Sequence, residues 1–273
     1  MKTWLITGCS SGIGKGIAEA ALKQGDQVVL TARNADKLNE TAKNYPGKAL
    51  ALKMDVTRDE DRKAAVRAAL DTFGSIDVLV NNAGYGYRSA VEEGEDEEIR
   101  RLFDVNFFGP CSLIKEVLPL MREKRQGTIV NLTSMGGIRG AVGNGWYSAA
   151  KGAMELLSDT LYKECAPIGI RVLIVEPGAF RTGFYDALKG TKCIITDYNE
   201  TAGPMHLENM ENHHSQPGNP DKAGEVITRL VNYEKMPERF VLGSDSLREI
   251  RKEYENRLEE LKEWEALSRQ SDF

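Results

Sequence analysis

Tyr147 and Lys151 stand four residues apart in Trp146-Tyr147-Ser148-Ala149-Ala150-Lys151. On a helix that spacing puts a phenol and an ammonium on one face. A phenol with its ordinary pKa near ~10 is a poor acid and a poor base at neutral pH. A cation about 4 Å away, at an effective dielectric of about 20, favours the phenolate by ~4 kcal/mol before desolvation. At ~1.4 kcal/mol per unit, that lowers the pKa by two units or so. The same spacing also occurs on solvated helix faces, so the elements that would position the pair decide between the two readings.

The chain opens on a short apolar run, Trp4 to Thr7, that ends in Gly8-Cys9-Ser10-Ser11-Gly12-Ile13-Gly14, and a helical pattern follows at Ile17, Ala20, Ala21 and Leu22. A strand, a glycine turn and a helix in that order can seat a pyrophosphate on unpaired helix N–H groups; the alternative is a turn that serves packing alone. The second strand, Gln27 to Arg33, ends in Ala32-Arg33 with no acid where a dinucleotide fold reads the ribose 2′ position. Arg33 there favours the 2′-phosphate of NADP over NAD, although it could also be a solvated charge.

Further strands are expected at 49–54, 77–80, 127–133, 170–176 and 239–243. Asp55 and Val56 follow the third, Asn81-Asn82-Ala83-Gly84 end the fourth, Ser134 ends the fifth, and Pro177-Gly178 with Thr182 follow the sixth. Between them the pattern predicts a helix over 57–73, with Thr57 as N-cap and Glu60 as its box partner. A long helix over 95–125 carries Asn106, either as a satisfied core amide or as part of a site. The helix holding Tyr147 and Lys151 reaches about 166, and another spans 221–233. Residues 184–220 lack periodicity and are expected to form a substrate loop. An amphipathic helix covers 245–270, with Leu247, Ile250, Tyr254, Leu258, Leu261, Trp264 and Leu267 on one face. It could pack on its own domain, cover the site or meet a partner subunit.

The alternation predicts one α/β domain over 1–273: a Rossmann-type doubly wound sheet of about seven parallel strands with helices on both faces. Right-handed crossovers then gather the carboxyl strand ends on one rim. Gly8, Arg33, Asp55, Asn81, Ser134 and Pro177 all fall there, which raises the Tyr147–Lys151 pair above a chance spacing.

The 273 residues include 28% charged and 41% apolar residues with a net charge of −5. That is ordinary globular composition, with no electrostatic footprint for nucleic acid or an anionic membrane. Cys9, Cys111, Cys165 and Cys193 read as free thiols, and a cytoplasmic location is expected. His206, His213 and His214 lack clustered soft ligands and read as surface histidines rather than a metal site.

These motifs resemble the classical short-chain dehydrogenase/reductase family, collinearly from residue 3 to about 182. Thr7-Gly8-x-x-x-Gly12-Ile13-Gly14 is similar to its cofactor turn, Asn81-Asn82-Ala83-Gly84 to its central signature, and Pro177-Gly178 with Thr182 to its nicotinamide-side segment. The wording around Cys9, Tyr85 and Gly86 looks most like the 17β-hydroxysteroid dehydrogenase-like branch. The resemblance implies a catalytic set of Asn106, Ser134, Tyr147 and Lys151. It also implies cofactor contacts at Gly8, Ser10, Ser11, Gly12, Ile13, Gly14, Arg33, Asp55, Val56, Asn82, Ala83, Gly84, Tyr147, Lys151, Pro177, Gly178 and Thr182. The implied reaction is hydride transfer between NADP(H), preferred over NAD(H), and a ketone or secondary alcohol in a homodimer or homotetramer. One departure is Ser11, which stands where many NADP-preferring members have a basic residue; Arg33 would then act largely alone, with Asn34 as a helper. Tyr85, Tyr87, Met135, Trp146, Phe180, Phe184 and Tyr185 are candidates to line an apolar pocket or the core. The rivals are a non-catalytic NADP-binding redox regulator and a sugar epimerase or dehydratase, the last expected to show a different glycine spacing and a longer substrate domain.

Overall fold

The computed structural model describes residues 1–205 and 215–273. The three histidines lie outside the described residues, and among those described no cluster of side chains could hold a metal ion. No described helix is long and apolar enough to cross a membrane.

Seven strands form one parallel sheet: β1 (Thr3–Thr7), β2 (Gln27–Ala32), β3 (Ala49–Lys53), β4 (Val78–Asn81), β6 (Gly127–Leu132), β7 (Ile170–Pro177) and β9 (Arg239–Leu242), in the order β3-β2-β1-β4-β6-β7-β9. A separate two-stranded ladder pairs β5 (Tyr87–Arg88) with β8 (Lys189–Gly190). The main strands are almost continuous apolar runs because helices cover both faces. Successive residues point to opposite sides. Ile6, Val28, Leu30 and Val80 meet α1 (Gly12–Lys23) and α8 (Pro220–Val231). Leu5, Val29, Leu79 and Ile129 meet α3 (Asp59–Phe73), α5 (Gly109–Lys124) and α7 (Gly145–Cys165).

Two expectations fail locally. The helix over 57–73 begins at Asp59, and Thr57 does not cap it: its N–H and hydroxyl both donate to Asp55 Oδ1, at 3.0 and 2.8 Å, closing a turn before the helix starts. The acids Asp59, Glu60 and Asp61 in the first turn favour the positive end of the helix dipole instead. The long helix over 95–125 is broken into α4 (Asp96–Phe103), a π-helical turn over Asp104–Phe108, and α5. That turn holds Asn106, and single-turn π segments inside helices recur at functional sites.

The terminal helix α9 (Ser244–Ser268) is tied to the domain from its start as far as Arg257. Ser246 Oγ donates to the Glu176 carbonyl at 2.9 Å, Asp245 Oδ2 accepts from the Ala179 N–H at 2.7 Å, and Arg257 donates to the Ile138 carbonyl at 2.6 Å. Ile250 is buried, yet Tyr254, Leu258, Leu261, Trp264 and Leu267 are 44–68% exposed. Past Ile250 the apolar side chains of α9 are thus turned largely to solvent.

Candidate active site

The strand order reverses direction between β1 and β4, where crossovers leave in opposite senses and a crevice opens at the carboxyl ends. Thr7 holds that crevice together: its hydroxyl accepts the N–H groups of Asn82 and Ala83, each at 2.9 Å. Asn82 returns the bond, its Nδ2 donating to the Thr7 carbonyl at 2.8 Å and the Gly8 carbonyl at 3.1 Å. Thr7 was read only as part of the glycine motif, because a threonine ending a strand looks like a β-propensity choice.

The residues from Gly8 to Gly14 form the turn into α1. Gly12 has φ +61°, and a Cβ there would lie 3.0 Å from two carbons of the Thr182 side chain. Thr182 thus sits against the turn at Gly12, and Ser11 Oγ would lie 3.8 Å from a Cβ at Gly183. Ser11 occupies the N-cap position without a side-chain bond to the helix, and the first turn of α1 has no acid. Its leading N–H groups therefore suit a phosphate, and the residues present fit a dinucleotide.

At the end of β2, Arg33 is exposed and lies close enough to Asp55 to affect its charge. Burial pushes the Asp55 carboxyl up, but the Thr57 N–H and hydroxyl, with Arg33 and Arg101, bring it below its ordinary value. Asn34 caps the following turn, its Oδ1 accepting the Asp36 N–H at 2.9 Å. Val56 is buried, and its carbonyl accepts from Arg62 at 2.8 Å. Pro177 closes β7; the Gly178 N–H donates to the Leu242 carbonyl at 3.0 Å.

Ser134 lies two residues past the end of β6 and caps the short helix α6 (Met135–Ile138), its Oγ accepting the Gly136 N–H at 3.0 Å. It also hydrogen-bonds the Tyr147 phenol. Lys151 Nζ stands 5.9 Å from the Tyr147 ring centroid and donates to the Leu132 carbonyl at 2.8 Å. Both side chains are buried.

This corrects the expected charge balance. Burial pushes the Tyr147 phenol up to about 12, with the Ser134 hydroxyl pulling the other way, and it pushes the Lys151 ammonium down to about 8. A dry site opposes charge on both partners, and that cost outweighs the pairwise attraction estimated from spacing alone.

Asn106 is 1% exposed and uses both ends of its amide on the Tyr85 backbone: Oδ1 accepts the N–H at 3.1 Å and Nδ2 donates to the carbonyl at 2.8 Å. Gly84 fits between Asn106 and Lys151, since a Cβ there would lie 2.8 Å from Asn106 Oδ1 and 3.6 Å from Lys151 Nζ. Of the candidate aromatics, Phe180 belongs to the core on the α1 face, and Tyr87 is buried beside Tyr147 in a third cluster. Tyr85, Trp146 and Phe184 pack in that cluster around Tyr147, with the Phe184 ring centroid 5.8 Å from that of Tyr147. Arg88, which sequence reasoning passed over, is near enough to favour the Tyr147 phenolate.

The short chain dehydrogenase family profile matches residues 2–192. A protein of Bacteroides thetaiotaomicron named 3-ketodihydrosphingosine reductase is 37% identical over 242 residues, 88% of this chain and 87% of that protein. A crystal structure of a short-chain dehydrogenase from Streptomyces avermitilis superposes with a TM-score of 0.92 at 42% identity, covering 100% of this chain and 98% of that one. An alcohol dehydrogenase from Thermococcus sibiricus complexed with 5-hydroxy-NADP superposes at a TM-score of 0.74 and 27% identity, covering 89% and 96%.

The burial balance predicts that Tyr147 does not ionise below about pH 10 in the protein without added nucleotide. A difference titration of ultraviolet phenolate absorbance between wild type and Tyr147→Phe checks this. A phenolate signal lost in the variant near neutral pH would contradict it.

Proposed function

The chain belongs to the short chain dehydrogenase family, and from that premise we propose that this oxidoreductase uses NADP(H) to interconvert a hydrophobic ketone and its secondary alcohol. The observation that carries the reading is the buried phenol of Tyr147, bonded to Ser134 and backed by Lys151, at the carboxyl rim of the sheet. The nicotinamide ring supplies or accepts the hydride when bound.

The chain's own residues handle the proton and the position. Tyr147 gives its proton to the developing alkoxide in reduction and takes it back in oxidation. A phenol held protonated by burial suits the reductive direction. Ser134 donates toward the oxygen where charge develops. Lys151, still largely an ammonium at neutral pH with a value near 8, holds the nicotinamide ribose and offsets negative charge at Tyr147. Asn106 fixes the 84–85 backbone beside Lys151, and a water linking Lys151 to solvent would use the remaining lone pair of Oδ1. Gly8, Ser10, Ser11, Gly12, Ile13 and Gly14 receive the pyrophosphate. Asp55, Val56, Asn82, Ala83 and Gly84 line the crevice, and Pro177, Gly178 and Thr182 flank the nicotinamide. A regulator that binds NADP without turnover is not favoured, because Tyr147, Ser134 and Lys151 are all present.

For the substrate, Tyr85, Trp146 and Phe184 around Tyr147 support an apolar carbonyl compound, whether steroid-like or long-chain. The relative named as a 3-ketodihydrosphingosine reductase agrees with a long-chain ketone as readily as the 17β-hydroxysteroid dehydrogenase-like wording does with a steroid. The four free cysteines fit the cytoplasm.

The exposed face of α9 fits a second copy of this chain. Residues 248–257 carry four cations against three carboxylates, and 258–272 two cations against five. Antiparallel pairing of two α9 helices would set each basic half against the partner's acidic half while covering both apolar faces.

Three outcomes are expected. NADPH consumption with a panel of ketones should disappear in Tyr147→Phe, and turnover retained in that variant refutes the role of Tyr147. Arg33→Ala should weaken NADPH by about ten- to a hundredfold, the loss of a charge-assisted phosphate contact, while leaving NADH binding unchanged. Removing residues 258–273 should convert a dimer to monomer by sedimentation, whereas an unchanged mass places the interface elsewhere.

A further inference from the structure

Glu93 is a buried carboxylate that the proposed chemistry does not use, at 2% exposure. Its two oxygens face different parts of the chain. Oε2 accepts the Ala90 N–H at 2.9 Å, within its own turn, and Oε1 accepts the Ile195 N–H at 2.8 Å, from the loop that follows β8. The Glu93 carbonyl accepts the Thr191 hydroxyl at 2.7 Å. Three further acids of the same stretch reach that loop: Glu92 accepts from the Tyr198 hydroxyl, Glu95 from the Lys192 N–H, and Glu98 pairs with Lys189 at 2.7 Å.

The other side of this turn rests on the helix that carries Tyr147. Trp146 Nε1 donates to the Val91 carbonyl at 3.2 Å, and the Ser89 N–H donates to the Gly143 carbonyl at 3.1 Å. The loop in turn bears on the proton donor. Leu188 and Phe184 close over Gly86, where a Cβ would lie 2.2 and 3.1 Å from them, and the Phe184 ring packs edge-on against Tyr147. Residues 87–95 are thus a spacer between catalytic helix and substrate loop, with Glu93 the one fully buried acid in it.

We propose that Glu93 is a positioning residue that locks the 184–198 loop against the Tyr147 helix and so sets the affinity for substrate. Ordinary loops have free backbone N–H groups that water can serve. Here a partly buried N–H of the loop bonds to one carboxylate oxygen while the other oxygen accepts the Ala90 N–H, and a carboxylate can accept on both sides at once. An amide of the same shape cannot do so: one end would present donors to a donor. The effect on turnover rests on the redox reading above, and the effect on the loop does not.

Glu93→Gln tests this, with Glu97→Gln, an exposed acid of the same stretch, as the control. Hydrogen exchange of peptides covering 186–199 should accelerate about tenfold or more in Glu93→Gln, with thermal midpoint and NADPH affinity near wild type. With a ketone that the wild type reduces, KM should rise about tenfold or more while kcat stays within about threefold, the split expected when binding geometry rather than chemistry is lost. Thr191→Val, which removes the hydroxyl bonded to the Glu93 carbonyl, should move both readings the same way by less, and it serves if Glu93→Gln does not fold. Unchanged exchange over 186–199 in the variant overturns the proposal, as does a fall in kcat with KM unchanged. A wild type that reduces no ketone sinks the redox reading instead, and the exchange measurement still decides the role of Glu93.

Discussion

The hydroxyl of Thr7 takes two backbone N–H groups from the end of β4, and Asn82 answers with its amide on the end of β1. These bonds sit where the sheet changes winding direction, the one place in such a fold where two strand ends diverge and leave room for a ligand. The crevice is held by side chains because parallel strands that have finished their ladder leave their last N–H groups without partners. The turn into α1, the Asn82–Gly84 backbone and, through Gly84, the spacing of Asn106 from Lys151 all follow from that junction.

Dryness is the second constraint, and it shapes the chemistry. Tyr147 and Lys151 are placed together by one helical turn, yet burial raises one pKa and lowers the other, so the pair is a neutral acid beside a moderately weakened cation rather than a preformed phenolate. Such an acid holds its proton until negative charge appears on a neighbouring oxygen. The Ser134 hydroxyl and the nearby Arg88 guanidinium pull the phenol's pKa down, against the larger effect of burial. Tyr85, Trp146 and Phe184 pack against the buried ring of Tyr147.

Much of this was legible in the sequence, for identifiable reasons. Buried parallel strands read as apolar runs, and their ends carry the polar residues, so the seven strands, the glycine turn and the placing of Ser134 followed from pattern. The break at Asn106 was not legible, because a π-helical turn keeps helical periodicity while adding one residue to a turn. Thr57 looked like a cap by type, and only the position of Asp55 shows where its hydroxyl goes. The sign of the pKa shifts was missed because spacing reports distance and says nothing of water. Glu93 was hidden in an acidic stretch that reads as solvated surface, and its burial depends on a loop about a hundred residues away.

The central claim is that Tyr147 protonates an oxygen while the carbon beside it receives hydride at this rim. It is tested most directly by reducing a ketone with NADPH deuterated at the transferable C4 position and analysing the alcohol by mass spectrometry and NMR. The account predicts one deuterium on the carbinol carbon and an exchangeable solvent proton on its oxygen. Protium from water at that carbon, or no reduced product from any ketone, would contradict it.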